Sequence, residues 1–196
     1  MIEYIKGELT QLTPAQATIE TAGGVAYLLN ITLPTYSALE QGGAAVCRLY
    51  VHEAIRDDAW VLYGFAEQRE RELFRLLIGV SGVGAATAVI ILSSLQGDEL
   101  AAVIAGGDVK RLKAIKGIGA KTAERIIVDL RDKIKPVDDT LFNRTTAQND
   151  AYDEAIAALT ILGFDRKLSA KVLDKLFAET PDLKVETAIK RAMTMM

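Results

Sequence analysis

Apolar positions change their period near residue 65. Before it, β-branched, aromatic and aliphatic residues come in short, partly alternating runs: Ile2 to Leu12, Gln16 to Thr21, Val25 to Ile31, Ala44 to Val51 and Trp60 to Phe65. Period-two alternation is what a strand with one buried face requires. Gly23-Gly24 separates the second and third runs and is a hairpin signal. Five short strands in the first 65 residues predict a small closed barrel of the OB type. The barrel aromatics Tyr4, Tyr27, Tyr36, Tyr50, Trp60 and Tyr63 are expected in its core.

From Glu67 onward the period is helical. Leu73, Phe74, Leu76 and Leu77 form an apolar face among Arg69, Glu70, Arg71 and Glu72, and Leu100 to Ile104 reads as a further helix. A later helix is expected to run to about Lys133, with Pro136 as the stop. Residues 136–149 are polar, without a sustained period, and read as a flexible linker. Beyond it, three stripes predict a three-helix, UBA-like unit. They are Tyr152, Ala155, Ile156 and Leu159; then Leu168, Val172, Leu173, Leu176 and Phe177; then Val185, Ala188, Ile189 and Ala192. Leu162-Gly163-Phe164 is the expected first turn, and Pro181-Asp182 the expected start of the third helix. The expected class is α+β and multidomain: a barrel over 1–65, an all-α domain over 66–135, a linker over 136–149 and a helical domain over 150–196. So small a helical unit on a long tether suggests a partner-binding module.

Within the middle segment one motif is written twice. Gly82-Val83-Gly84-Ala85-Ala86-Thr87-Ala88 recurs 35 residues later as Gly117-Ile118-Gly119-Ala120-Lys121-Thr122-Ala123, and six of the eleven positions from each first glycine are identical. Leu77 matches Leu112 and Val80 matches Ile115. Each copy is an apolar lead-in, a Gly-x-Gly turn and a new helix. Glycine permits positive φ and close approach to the backbone. The helix that follows begins with unpaired N–H groups and partial positive charge, which suit a phosphate oxygen. This is the helix-hairpin-helix pattern of sequence-independent nucleic-acid binding. A single copy would equally be a plain C-cap; two copies in register favour the nucleic-acid reading.

The net charge of −3 argues against a DNA binder until it is divided. Residues 1–64 carry −4, 65–135 carry +3 and 136–196 carry −2, while Lys110 to Lys135 alone carries +6 and contains the second hairpin. A local basic face serves phosphate binding better than a high overall pI. The single Cys47 excludes an internal disulfide and a cysteine zinc site, and the single His52 has no metal or nucleophile partner set, so both read as structural. No metal, cofactor or catalytic residue is expected. No apolar run approaches a membrane span and the start has no signal-peptide layout, which predicts a cytoplasmic protein without membrane contact.

The whole chain resembles the RuvA family, the Holliday-junction-binding subunits of bacterial branch-migration complexes. The resemblance lies in the start Met1 to Gly7, in Arg56-Asp57-Asp58-Ala59 leading to Leu62-Tyr63-Gly64-Phe65, in the run Gly117 to Arg125, and in the domain order. It implies a homotetramer, sometimes doubled to an octamer, holding an open square junction between two RuvB ATPase rings, with the RuvC resolvase acting on the same junction. It implies phosphate contacts from Gly82, Gly84, Gly117, Gly119, Lys121 and Arg125, with added charge from Lys116, where relatives commonly have proline. Relatives place Pro-Lys after the second glycine of the first hairpin; this chain has Ala85-Ala86. Asp57 and Asp58 match the family's acidic pin at the junction centre. Leu159, Leu162, Phe164, Val172 and Leu176 are candidates for RuvB contact, not separable from core by sequence.

Enzymatic alternatives are weaker. Hairpin glycosylases carry a catalytic Asp after the hairpin; Asp129 is near that place but lacks a pocket context. Gly119-Ala120-Lys121-Thr122 lacks the spacing of an ATP-binding phosphate loop. A scaffold with accidental hairpins remains the third reading.

Overall fold

The computed structural model of the chain describes residues 1–43, 45–134, 147–180 and 183–196. They belong to two compact units, 1–136 and 137–196.

The first unit begins with five strands, β1 (Tyr4–Thr13), β2 (Gln16–Glu20), β3 (Ala26–Ile31), β4 (Val46–Ile55) and β5 (Trp60–Phe65). They close into a barrel in the order β1-β2-β3-β5-β4, with β3 and β5 parallel and the other pairs antiparallel. Alternate residues such as Ile5, Ile19, Leu29, Leu49, Val51 and Leu62 fill the interior. Cys47 packs at the edge of this core, and burial raises its thiol pKa. Gly7 permits the tight β1–β2 approach, because a Cβ there would lie 2.1 Å from the Glu20 carbonyl oxygen.

Three features differ from the sequence expectation. Helix α1 (Leu33–Gly42) lies between β3 and β4, where the hydrophobic pattern predicts no element. Thr32 starts it by accepting from the Thr35 N–H, with proline in the first turn and Gly43 in the left-handed region at its end. Strand β4 continues to Ile55, four residues past the expected end at Val51; its expected first residue, Ala44, lies outside the described residues. Tyr4 and Trp60 are exposed rather than in the core, while Tyr27, Tyr36, Tyr50 and Tyr63 are half-buried. Trp60 and Ile55 share the alternation of Leu62 and Val51, but the β4–β5 ribbon carries them beyond the buried positions.

Five helices complete this unit: α2 (Gln68–Ile78), α3 (Ala85–Ser94), α4 (Gly97–Ala105), α5 (Val109–Lys113) and α6 (Ala120–Leu130). They enclose a second core around Phe74, Leu77, Ile91, Leu100, Leu112 and Ile126. The helix expected to reach Lys133 stops at Leu130 and continues as turns. Leu76, expected on the apolar face, is only partly buried.

Two polar joints tie α2 to the barrel. Arg71 is 1% exposed and donates to the Glu3 carbonyl at 2.9 Å and to its carboxylate at 2.6 Å, with its guanidinium 5.4 Å from the Tyr50 ring centre. Glu70 accepts from the hydroxyls of Thr32 and Thr35, and Thr35 in turn accepts from the Ala66 N–H at 2.9 Å. Burial pushes the Glu70 carboxyl above its ordinary pKa, opposed by the two hydroxyl donors. The His52 ring lies 5.2 Å from that of Phe74, tilted by 59°, and burial lowers its pKa, in keeping with a structural role.

The second unit is three helices, α7 (Ala147–Ile161), α8 (Arg166–Glu179) and α9 (Val185–Met195), around Ala155, Leu159, Leu173, Leu176 and Ala188. Gly163, at φ +94°, makes the α7–α8 turn. Most of the expected linker lies outside the described residues; 147–149, its last three positions, are helical. Pro181-Asp182 is also outside them, and α9 begins at Val185 behind an N-cap at Lys184. Leu168, placed in the second stripe, is exposed. Among the described residues no single helix is long and apolar enough to cross a membrane; α3 and α4 reach that length and composition only together, as a pair bent by 98°.

Candidate nucleic-acid interface

The sequence repeat is reproduced bond for bond. In the first hairpin the Val80 N–H donates to Leu77 O and Val83 N–H to Val80 O, both at 3.0 Å; in the second, Ile115 donates to Leu112 at 3.1 Å and Ile118 to Ile115 at 3.2 Å. Val80, Val83, Ile115 and Ile118 are buried and anchor both turns to the helical core. Gly82 and Gly117 have φ of +92° and +88°, a region in which side chains are strained. Gly84 and Gly119 are the N-caps of α3 and α6, with φ/ψ of −86°/169° and −81°/167°.

Neither cap supplies a side-chain acceptor, so the first-turn N–H groups of α3 and α6 stay open to an external anion. Among the described residues, and apart from the adjacent ones in the chain, no atom lies within 4 Å of where a Cβ on Gly84, Gly117 or Gly119 would sit. The two helix starts are therefore bare backbone facing open space, the geometry that close phosphate approach needs.

The charged side chains differ between the copies. Lys116, Lys121 and Arg125 surround the second turn and are all exposed. At the corresponding positions the first hairpin has Ser81, Ala86 and Ile90, also exposed. Among the described residues Lys116, Lys121 and Arg125 have no carboxylate partner, whereas Arg111 of α5 is neutralised by Glu99. Arg125 lies across the gap between hairpins, its Nη1 3.5 Å from Ser81 Oγ. Sequence reading did not single out Ser81; its signal was its place in the repeat, opposite Lys116.

Asp57 and Asp58 form the two-residue tip of the β4–β5 ribbon. Arg56 and Ala59 close it, through Arg56 N–H to Ala59 O at 2.8 Å and the reciprocal bond at 3.4 Å. Both aspartates are exposed, and the cross-strand pair behind them, Ile55 and Trp60, is 70% and 65% exposed. The barrel also places one cation beside aromatic rings, Arg48 at 5.4 Å from both Tyr4 and Tyr50, a pairing the segment's net negative charge conceals.

Of the five partner-contact candidates in the second unit, Leu159, Val172 and Leu176 are core residues, and Leu159 and Leu176 are essentially inaccessible. Their burial accounts for them as packing residues of the three-helix core. Leu162 is exposed and Phe164 half-buried at the α7–α8 turn, next to the exposed Ile161 and Leu168. Asp129, the glycosylase candidate, is exposed on α6.

Comparison with known proteins agrees with this layout. Residues 1–64 match the RuvA N terminal domain, 74–132 a SAM-like helix-hairpin-helix tandem, and 150–194 the RuvA C-terminal domain. A Bacteroides thetaiotaomicron protein named Holliday junction branch migration complex subunit RuvA is 49% identical over 201 residues, covering 98% of both chains. Proteins of the same name from Parabacteroides distasonis and Porphyromonas gingivalis are 48% and 45% identical, covering the full length of both chains. With family matches at both ends, a hairpin tandem between them and full-length relatives at close to half identity, the chain belongs to the RuvA family.

Proposed function

We propose that this chain binds four-way DNA junctions without reading their sequence and serves as the DNA-holding subunit of an ATP-driven branch-migration machine in recombination and repair. The observation that carries the reading is the pair of hairpins with matching turn bonds and uncapped helix starts, beside cations that have no carboxylate partner among the described residues. Such contacts position a phosphate backbone and specify no bases. Gly82, Gly84, Gly117 and Gly119 supply the approach, and Lys116, Lys121 and Arg125 the charge.

Asp57 and Asp58 act by exclusion. A carboxylate about 4 Å from a phosphate costs about 1 kcal/mol in water and about 4 kcal/mol at intermediate screening. In a fourfold assembly the ribbon tips of all subunits would gather at the centre. They would repel a continuous duplex there and tolerate a junction whose strands part at that point. The tetramer, its doubling to an octamer, and shared use of the junction with RuvC belong to this proposal, as does a cytoplasmic location.

The motor is a partner ATPase, RuvB by family resemblance, engaged through the second unit. The exposed apolar residues at the α7–α8 turn, Leu162 and Phe164 with Ile161 and Leu168, are the surface offered to it. The division at 65/66, 135/136 and 149/150 is retained as a functional one: pin, grip, tether and partner module.

Lys121→Ala tests the grip. It is expected to weaken junction and duplex binding alike and to reduce the slope of log K against log salt by about 0.9, one phosphate contact. Unchanged affinity and slope would remove the second hairpin from the interface.

A further inference from the structure

The two hairpins share a backbone geometry but not a charge. At offset 35, Lys113, Lys116, Lys121 and Arg125 of the second copy stand opposite Ile78, Ser81, Ala86 and Ile90 of the first. Only Arg75, opposite Lys110, preserves a cation, and Arg75 is held by Glu72 at 3.0 Å. The first hairpin therefore has the N–H groups of a phosphate site and no free cation of its own near the turn.

The missing charge is present from another element. Arg125 belongs to α6, yet its Nη1 lies 3.5 Å from Ser81 Oγ on the first turn. Ser81 immediately precedes Gly82, the positive-φ residue of that turn. Thr122, one turn before Arg125 on α6, also leans this way: its Oγ1 would be 3.8 Å from a Cβ on Gly82. Arg125 has no carboxylate partner among the described residues, so its charge is free for an anion. Lys121, by contrast, stands two residues after the second N-cap, Gly119, and belongs to its own hairpin.

We infer that Arg125 is the phosphate-binding cation of the first hairpin, supplied across the hairpin–hairpin contact, and that Lys121 serves the second hairpin. The inference rests on the phosphate-binding reading of the hairpins given above. A guanidinium suits the task, because its several planar donors can hold Ser81 Oγ and a phosphate oxygen together.

The repeat itself supplies the test. Ala86 is exposed and stands where Lys121 stands in the second copy, so Ala86→Lys returns a cation to the first hairpin on its own helix. Full-length protein would be titrated with a four-way junction as wild type, Ala86→Lys, Arg125→Ala, Lys121→Ala and the two double variants that add Ala86→Lys. Arg125→Ala is expected to weaken binding at least about tenfold, as for loss of a charged hydrogen-bond partner. Ala86→Lys is expected to recover most of that loss, and to give the Lys121→Ala protein no more than it gives wild type. Groups on one phosphate are non-additive, whereas distant ones add.

Equal gains from Ala86→Lys in all three backgrounds would overturn the inference. So would full affinity in Arg125→Ala while Lys121→Ala is weakened, which leaves the general grip intact. Full affinity in Lys121→Ala as well would bring down the phosphate reading of the hairpins and this inference with it.

Discussion

Four glycines occupy two distinct chemical roles. Gly117 needs its positive φ, so Gly117→Ala is expected to destabilise the first unit by about 1–2 kcal/mol through backbone strain, with no clash to relieve. Gly119 has ordinary extended geometry and open space around it. Gly119→Ala is expected to cost within about 1 kcal/mol of stability, the usual penalty for alanine at an N-cap. Its added methyl nevertheless fills the path of an approaching phosphate, so DNA binding should fall by more than the stability change explains. Urea unfolding and junction titration of both variants check this; a Gly119→Ala protein with wild-type affinity would contradict it. Both glycines were legible in sequence because the repeat set them in register. Arg125's reach to Ser81 was not, since it depends on how α6 packs against the first turn, a tertiary relation that no local pattern encodes.

At the scale of elements, the α2–barrel joint decides where the hairpins stand relative to the pin. Glu70 is its titratable member. Burial raises its folded-state pKa above the ordinary carboxylate value, so as pH falls the folded chain takes up this proton before the unfolded chain does. The joint therefore gains stability between the raised folded value and the ordinary unfolded one as pH drops, and loses it as pH rises through that window. Glu70→Gln is expected to lack this response. The stability of wild type relative to the variant should increase from neutral pH down towards the ordinary carboxylate range, read by urea unfolding at several pH values. A difference constant with pH would contradict the assignment. Period-two runs identified all five strands, because one face of each fills the barrel. Helix α1 escaped because its apolar positions form only a weak stripe; the cap at Thr32 followed by Pro34 was the available signal. The end of β4 escaped for another reason: His52 to Ile55 continue the pairing with β5 while burial declines from half-buried His52 to exposed Ile55, so hydrophobic pattern alone stops at Val51. In the second unit the stripes located the helices, yet could not separate Leu159 and Leu176, which are core, from Leu162, which is surface.

For the whole molecule, a chain of net charge −3 binds a polyanion by sorting its charges: cations around the second hairpin, aspartates at the ribbon tip. In the proposed function the first set attracts any DNA and the second selects its shape. Asp57→Asn with Asp58→Asn is therefore expected to strengthen binding to linear duplex while changing junction affinity little, so that the ratio between them narrows. Unchanged duplex affinity in a gel-shift titration would remove the pin from the selection. The central claim is tested most directly by titrating the unmodified protein with a four-way junction and with linear duplex of equal length at about 0.1 M salt, where exposed charges more than about 10 Å apart are largely screened. The account predicts a strong preference for the junction. Equal affinity for the two substrates would contradict it.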